Sequence, residues 1–471
     1  MSEHTLNRRR FLQSAVATGA SLRLAGCARA LEQNTSKRPP NFLVLVTDDH
    51  RANAMSCVGN PILRTPNMDA LAADGVLFTN AFVTTSICCT SRASIFTGQH
   101  AVRHGIYNFG THFSPEQYAE TYMEQLRRAG YRVGFAGKYG VGPARDLPAD
   151  KHDFWQGFPG QGRYENKDAD GNFEHMTTRM GRWASEFIEG CTPDQPFCLS
   201  VSFKAPHCQD GDPRQFIYDP RYEDLFQDVT IPPPPVGSDE YWNRFPAFFR
   251  ENNEGRKRWQ IRFSTPELYQ RMVKGYYRLV YGVDVVLGRI RNQLKERGLA
   301  DNTVILLMGD NGFFLGEHGL AGKWYPYEES IRVPLIVCDP RLPRRVRGRR
   351  CADWALNIDL APTILSMAGL PVPQRMQGAD LSPLLAGHDG PRRDAFYYDH
   401  RLGIPTIRKC EALVTPRYKY IRYTEPDPPY EELFDLRTDP HEVNNLAGRT
   451  EHGDRLAAMR RRCDAMRQEA T

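Results

Sequence analysis

Two hydrophobic periods alternate along the chain. Five runs are almost continuously apolar: Asn41 to Val46, Tyr131 to Gly137, Phe197 to Phe203, Thr303 to Met308 and Val333 to Cys338. A half-exposed strand alternates apolar with polar residues, so runs without alternation predict parallel strands buried on both faces. Between them, apolar residues recur at three- and four-residue steps, the helical period. Thr65 and Pro66 open one such stretch as cap residue and first-turn proline, and Gly75 stops it. Residues 116–129 predict a second helix, stopped by Gly130. The longest runs from Leu268 to Arg297, with Met272, Tyr276, Leu279, Val283, Val286, Leu287, Ile290 and Leu294 on one stripe and Gly298 at its end. Strands alternating with helices predict an α/β fold, a large mainly parallel sheet flanked by helices.

The last hundred residues read differently. A helix over 358–369 and the linker Leu370-Pro371-Val372-Pro373 close the α/β domain, residues 41–370. Short strands follow at Ala395 to Tyr398, Cys410 to Thr415 and Tyr418 to Tyr423, and a charged amphipathic helix ends the chain, with Arg460-Arg461-Arg462 on its solvated face. This predicts a smaller C-terminal antiparallel α+β subdomain, residues 371–471. Residues 208–265, which include Pro232 to Pro235, interrupt the α/β pattern.

The first thirty residues stand outside this scheme. Arg8-Arg9-Arg10-Phe11-Leu12 precedes a modest apolar stretch, Ala15 to Leu22, the pattern of a twin-arginine export segment. Leu24-Ala25-Gly26-Cys27 fits a lipoprotein cleavage box with Cys27 as the lipidated residue; Ala28-Arg29-Ala30 fits cleavage after Ala30 instead. A polar linker, 31–40, ends at Pro39-Pro40. The expectation is an exported protein, a client of the twin-arginine translocase, in the periplasm or on the outer cell surface. The net charge of +5 falls to about +2 without the leader, which carries Arg8, Arg9, Arg10 and Arg23 against Glu3. So weak a positive balance argues against a nucleic-acid partner. Eleven cysteines show no CxxC spacing and predict no particular disulfide.

In open α/β sheets, ligands bind beyond the carboxyl ends of the strands. Here four apolar runs end in Asp48-Asp49, in Lys138, in Lys204-Ala205-Pro206-His207 and in Asp310-Asn311-Gly312. Each ending alone has a plainer reading: a helix cap, a loop lysine, a loop histidine, a turn. Four together, with mixed carboxylates and cations, predict one convergent site. Asp48, Asp49, Asp310 and Asn311 offer hard oxygen ligands, which suit Ca²⁺ or Mg²⁺ rather than Zn²⁺. Lys138, Lys323 and His207 suit the oxygens of a bound anion, with Arg92 steadying the nucleophile end.

One further segment gives that site a nucleophile. Cys88-Cys89-Thr90-Ser91-Arg92, followed by Ala93 to Gly98, resembles the signature of the type I sulfatases, in the alkaline phosphatase superfamily. The resemblance extends over nearly all of the chain past residue 40. It takes in Thr65 to Asp69, Gly137-Lys138, Pro206-His207, Asp310-Asn311-Gly312, Gly316-Glu317-His318-Gly319, Lys323 and the Leu433 to Ala447 tail. It implies a sulfuric ester hydrolase in which a formylglycine-generating enzyme converts Cys88 to the catalytic aldehyde. It implies Ca²⁺ (or Mg²⁺) on Asp48, Asp49, Asp310 and Asn311 with position 88 beside it. Arg92, Lys138, His207 and Lys323 would then hold the nucleophile and sulfate, with His318 among the substrate contacts.

Two positions depart from the family pattern. Thr90 stands where Pro or Ala is usual, within the segment read by the maturing enzyme. Lys138-Tyr139-Gly140 replaces Lys-Trp-His, which removes a histidine used in the second step; His104 and His318 are the replacement bases that the sequence offers. An exported sulfatase implies a sulfated carbohydrate as substrate. The aromatic and basic residues of 208–265, such as Tyr241, Trp242, Arg244, Arg258, Trp259 and Arg262, fit either a lid over such a sugar or surface packing. A phosphonate or phosphate ester hydrolase, and an unmatured surface protein that binds glycan, are the competing readings.

Overall fold

The computed structural model describes residues 38–471; the export segment and Cys27 lie outside the described residues. Residues 40–471 form one compact unit. Its centre is an eight-stranded sheet: β1 Asn41–Thr47, β2 Val76–Phe82, β3 Arg132–Lys138, β4 Phe154–Phe158, β5 Phe197–Ser202, β6 Thr303–Gly309, β7 Leu335–Cys338 and β8 Arg349–Leu356. The spatial order is β8-β2-β7-β6-β1-β5-β3-β4. All neighbours are parallel except at β7, which runs antiparallel to both β2 and β6.

The helices among the described residues include α1 Pro66–Asp74, α2 Cys88–Thr97, α3 Pro115–Ala119, α4 Tyr122–Arg128, α5 Met176–Glu189, α6 Glu254–Arg262, α7 Pro266–Glu296, α8 Leu360–Met367 and α9 Gly453–Ala470. They cover both faces of the sheet, which explains the unbroken apolar runs. Phe42, Val44 and Val46 of β1 pack in one core with Phe96 of α2, Met123 and Leu126 of α4 and Ile364 of α8. Leu43 and Leu45 pack in the other with Leu71 of α1, Phe187 of α5 and Tyr276, Val283 and Leu287 of α7. Each such fully buried side chain contributes roughly 1.5–3 kcal/mol, so the site is built on the most firmly held part of the molecule.

The C-terminal strands β9 Phe396–His400, β10 Cys410–Val414, β11 Tyr418–Tyr423 and β12 Tyr430–Asp435 form an antiparallel sheet in chain order. One face packs on Leu456, Met459 and Cys463 of α9. The other, through Tyr398, Ala412, Ile421 and Phe434, joins the main core.

The structure corrects several expectations. The helix expected over 116–129 is two helices, because the Thr121 side chain accepts from the Glu124 amide and caps a new start. Strand β12, edge strands β8 and β4, and helix α5 were not anticipated. Among the described residues no helix is long and apolar enough to cross a membrane.

Candidate active site

Strands β6, β1, β5 and β3 are adjacent and parallel, so their carboxyl ends deliver four loops to one place. Asp48 and Asp49 leave β1, Asp310 and Asn311 leave β6, Lys204 to His207 leave β5, and Lys138 ends β3. Cys88 arrives as the first residue of α2, whose N-cap, Ile87, offers no side-chain acceptor. That uncapped helix start favours negative charge beside Cys88. Lys323 arrives from the loop after the short ribbon Phe314–Leu315 and Ala321–Gly322. Asp48, Asp49, Cys88, Arg92, Lys138, His207, Asp310, Asn311 and Lys323 are all buried.

Contacts tie these residues into one cluster. Arg92 donates from Nε to Asp310 Oδ2 at 2.9 Å, from Nη1 to the Lys138 carbonyl at 2.8 Å and to the Ser202 hydroxyl, and from Nη2 to the Phe203 carbonyl at 3.2 Å. Its Nη2 lies 3.4 Å from Asp48. Lys138 Nζ donates to Asp48 Oδ2 and, at 2.6 Å, to Gln161 Oε1. Lys323 Nζ donates to Asp49 Oδ1 and to Cys88 Sγ, 2.9 Å away. Asn311 Nδ2 donates to Asp49 Oδ1 at 2.6 Å, and the Asp49 amide donates to Asp310 Oδ1 at 3.1 Å. Asp49 holds φ at +60°, a left-handed conformation that Asp tolerates better than most residues. The Tyr276 hydroxyl fixes the Asp49 carbonyl at 2.7 Å.

Among the described residues three site oxygens have no hydrogen-bond partner: Asp48 Oδ1, Asp49 Oδ2 and Asn311 Oδ1. Donor atoms of Asp48, Asp49, Cys88 and His207 lie within 4.8 Å of one another. His207 Nδ1 bonds the Cys208 carbonyl and so carries the proton in this arrangement. Nε2 is then left as an acceptor 3.5 Å from Asp49 Oδ2. Buried acceptors facing one another cost energy unless a cation or proton lies between them. The donor set, carboxylate and amide oxygens, fits a hard divalent cation.

The electrostatics follow the geometry. Burial alone would raise Asp48, but Lys138 foremost, with His207, Lys323 and Arg92, holds it well below the carboxylate range. Burial and the charge of Asp48 push Asp310 up to about 6 against Arg92. Burial opposes the charge on Lys323, yet Asp49, Cys88 and Asp48 keep it protonated. Burial, helped by Asp48, pushes the Cys88 thiol up to about 12 despite Lys138 and Lys323. At neutral pH an unmodified Cys88 is therefore a thiol rather than a thiolate nucleophile.

His318 does not join the cluster. Its ring packs on Tyr327 at 4.8 Å and on Phe314 and Phe245, and the charges nearest it are Glu317, His441 and Lys419. His104 is likewise engaged elsewhere, with Nε2 on Ser94 and Nδ1 accepting from the Ile106 amide. Segment 208–265 divides. Trp242, Phe245 and Phe249 are buried packing, and Arg244 is exposed. Arg258 and Arg262 reach toward the site through Asp210, with Arg258 over the Trp324 ring at 5.1 Å. Gln161, Ser202 and Tyr276 hold site residues without belonging to any motif. Only the helical stripe of α7 marked Tyr276, as a core residue.

Fold and site together define a hydrolase of anionic esters. The chain belongs to the sulfatase family: the family model named Sulfatase matches residues 40–370. The model for the C-terminal part of N-sulphoglucosamine sulphohydrolase matches residues 316–469. An N-acetylglucosamine-6-O-sulfatase from Bacteroides thetaiotaomicron is 28% identical, covering 92% of this chain and 87% of that protein. An arylsulfatase from Clostridium perfringens is 26% identical, covering 90% and 93%. A solved structure of a protein in complex with its substrate, D-glucosamine-2-N,6-O-disulfate, superposes with a TM-score of 0.77 at 26% identity, covering 92% of this chain and 98% of that one. The phosphonate monoester hydrolase of Agrobacterium radiobacter, at 22% identity and a TM-score of 0.72, covers 92% and 96% and shares the fold.

Proposed function

We propose that this sulfatase is an exported enzyme that removes sulfate from a sulfated glycan, with formylglycine at position 88 and Ca²⁺ as its metal. The observation that carries this reading is the set of three partnerless buried oxygens on Asp48, Asp49 and Asn311, gathered beside Cys88 and faced by Lys138 and Lys323. Asp48, Asp49, Asp310 and Asn311 would hold the cation, which would offset charge on the sulfate oxygens. Formylglycine would supply a hydrated aldehyde as oxygen nucleophile, a role that the protonated Cys88 thiol cannot fill.

The remaining work falls to side chains present in the chain. Lys323, already on the Cys88 sulfur, would hold the nucleophile's oxygen and a sulfate oxygen. Arg92 spends its donors on Asp310, Ser202 and two carbonyls, so it fixes the carboxylates rather than the substrate. His207 presents Nε2 and would hand a proton to the departing glycan oxygen once protonated. A glucosamine 6-O-sulfate is the first substrate to try, because of the two relatives whose names carry 6-O-sulfated glucosamine. Export is supported by the Arg8-Arg9-Arg10 segment.

Tryptic-peptide mass around residue 88, measured on protein from the native host, tests the modification: formylglycine is about 18 Da lighter than Cys. An unshifted peptide would remove the formylglycine assignment. Paired assays with sulfated glucosamine, an aryl sulfate and an aryl phosphonate test the ester class. Turnover of the phosphonate alone would transfer the reading to phosphonate ester hydrolysis. Fractionation of the host cells tests export, and retention in the cytoplasm would sink it.

A further inference from the structure

Three carboxylates meet three cations in this site, and Arg92, Lys138 and Lys323 each donate to protein atoms already. Lys204 is a fourth cation beside them, and it is placed differently. It is 1% exposed, and its Nζ has no hydrogen-bond partner among the described residues. Its neighbours on the loop are engaged in the cluster. The Phe203 carbonyl accepts from Arg92, the Ala205 carbonyl accepts from the Asp48 amide, and its own carbonyl accepts from the His207 amide. The ammonium rests 4.8 Å above the ring of Tyr164, whose hydroxyl donates to the His207 carbonyl at 2.6 Å.

The charged or titratable groups that bear on Lys204 are Lys138, Cys208, Asp48 and Asp210. Asp48 Oδ2 accepts from Lys138, and Asp210 accepts from Arg258 and Arg262; Lys204 donates to neither carboxylate. Burial and the repulsion of Lys138 lower its pKa to about 8, which still leaves it mostly protonated at pH 7. A buried ammonium without an acceptor costs several kcal/mol. Packing against Tyr164 does not require it, since Met would fill the same space.

We propose that Lys204 is a substrate-contacting residue whose ammonium donates hydrogen bonds to the sulfuryl oxygens of the bound ester and to product sulfate. The assignment rests on the sulfate-ester reading above. The partners that Lys204 lacks among the described residues are supplied by the ligand.

Lys204→Met and Lys204→Arg in the full-length protein test this by two readouts. The first is kcat/KM on an aryl sulfate together with the inhibition constant of inorganic sulfate. The second is the rise in thermal midpoint that inorganic sulfate gives the protein, which needs no turnover. A hydrogen bond to a charged group corresponds to roughly a 10- to 100-fold effect. Lys204→Met is expected to lose that factor in both kinetic constants and to lose the sulfate-dependent midpoint rise, with partial recovery in Lys204→Arg. A folded Lys204→Met with unchanged sulfate inhibition and an unchanged midpoint rise would overturn the proposal. Should wild type turn over no sulfate ester, the ester reading fails while the midpoint arm still decides the anion contact. Should Lys204→Met not fold, Lys204→Gln takes its place in the same two readouts, and unchanged sulfate inhibition with an unchanged midpoint rise contradicts the contact.

Discussion

A Cβ placed on Gly140 would stand 2.8 Å from Cδ of Arg92, and Gly140 itself holds φ at +81°. Position 140 thus has no room here for the histidine that the family pattern places there. The stem of the arginine that braces Asp310 fills the space, and the backbone turns in a sense that L side chains avoid. Neither His104 nor His318 takes up the vacated role, since both point their nitrogens or rings into other contacts.

Gly140→Ala should therefore cost roughly 2–5 kcal/mol, from left-handed strain plus overpacking against a pinned side chain. Gly171→Ala is the control: φ is +85° there but nothing lies within 4 Å, so only the strain of about 1–2 kcal/mol applies. Urea unfolding compares them. Equal losses in the two variants would show that Arg92 does not press on position 140.

Arg92→Met should destabilise the fold by about 3–5 kcal/mol, because it strands Asp310 and Asp48 in a buried place without their shared cation. Arg92→Lys should cost less, since it keeps the charge while giving up the forked contacts to Ser202 and Phe203. Denaturant midpoints of both variants, taken with the sulfatase rate, check the order. A Lys variant as damaged as the Met variant would mean that the fork, rather than the charge, matters most.

Chelation should lower both the rate and the thermal midpoint, and Ca²⁺ should restore them. A ligand at a hundred times its dissociation constant stabilises by about 2.7 kcal/mol. Asn311→Ala removes one of the three partnerless oxygens and should shift the Ca²⁺ titration of the midpoint to higher concentration. Superimposable melting curves with and without Ca²⁺ in wild type would refute the cation assignment.

Much of the site was legible because its carriers are strands buried on both faces. β1, β3, β5 and β6 are unbroken apolar runs, and a polar cluster directly after each stands out. Edge strand β8 was not legible: Arg349, Arg350, Ala352 and Asp353 interrupt it, since one side meets solvent. Helix α5 carried its signal in Met176, Met180, Ala184, Phe187 and Ile188, but its cap is the His175 ring, which accepts from the Thr177 amide, and no Ser, Thr, Asp, Asn or proline marked its start. Gln161 and Ser202 come from a loop and a strand tip with no motif of their own. Their place is set by the order of strands in space, which a linear pattern does not state.

The last expectation concerns pH. Glu432 is 4% exposed where the C-terminal sheet meets the α/β part, and it accepts from Tyr327 at 2.8 Å. Burial pushes its carboxyl up to about 8, although the hydroxyls of Tyr327 and Tyr423 pull the other way and Glu442 adds to the rise. An unfolded glutamate titrates near about 4.3. Between those values the folded state holds a proton that the unfolded chain has released, so unfolding is coupled to proton loss and stability falls as pH rises. Below the window both states are protonated and the slope vanishes; above it both are ionised and the penalty is complete, a few kcal/mol in size. Glu432→Gln keeps the acceptor for Tyr327 and cannot ionise. It should match wild type at about pH 4 and exceed it increasingly toward about pH 8 in urea unfolding. Parallel stability curves for the two proteins would place the titrating group elsewhere. Glu442, which burial also raises, to about 7 against Lys419, is the next carboxylate to replace.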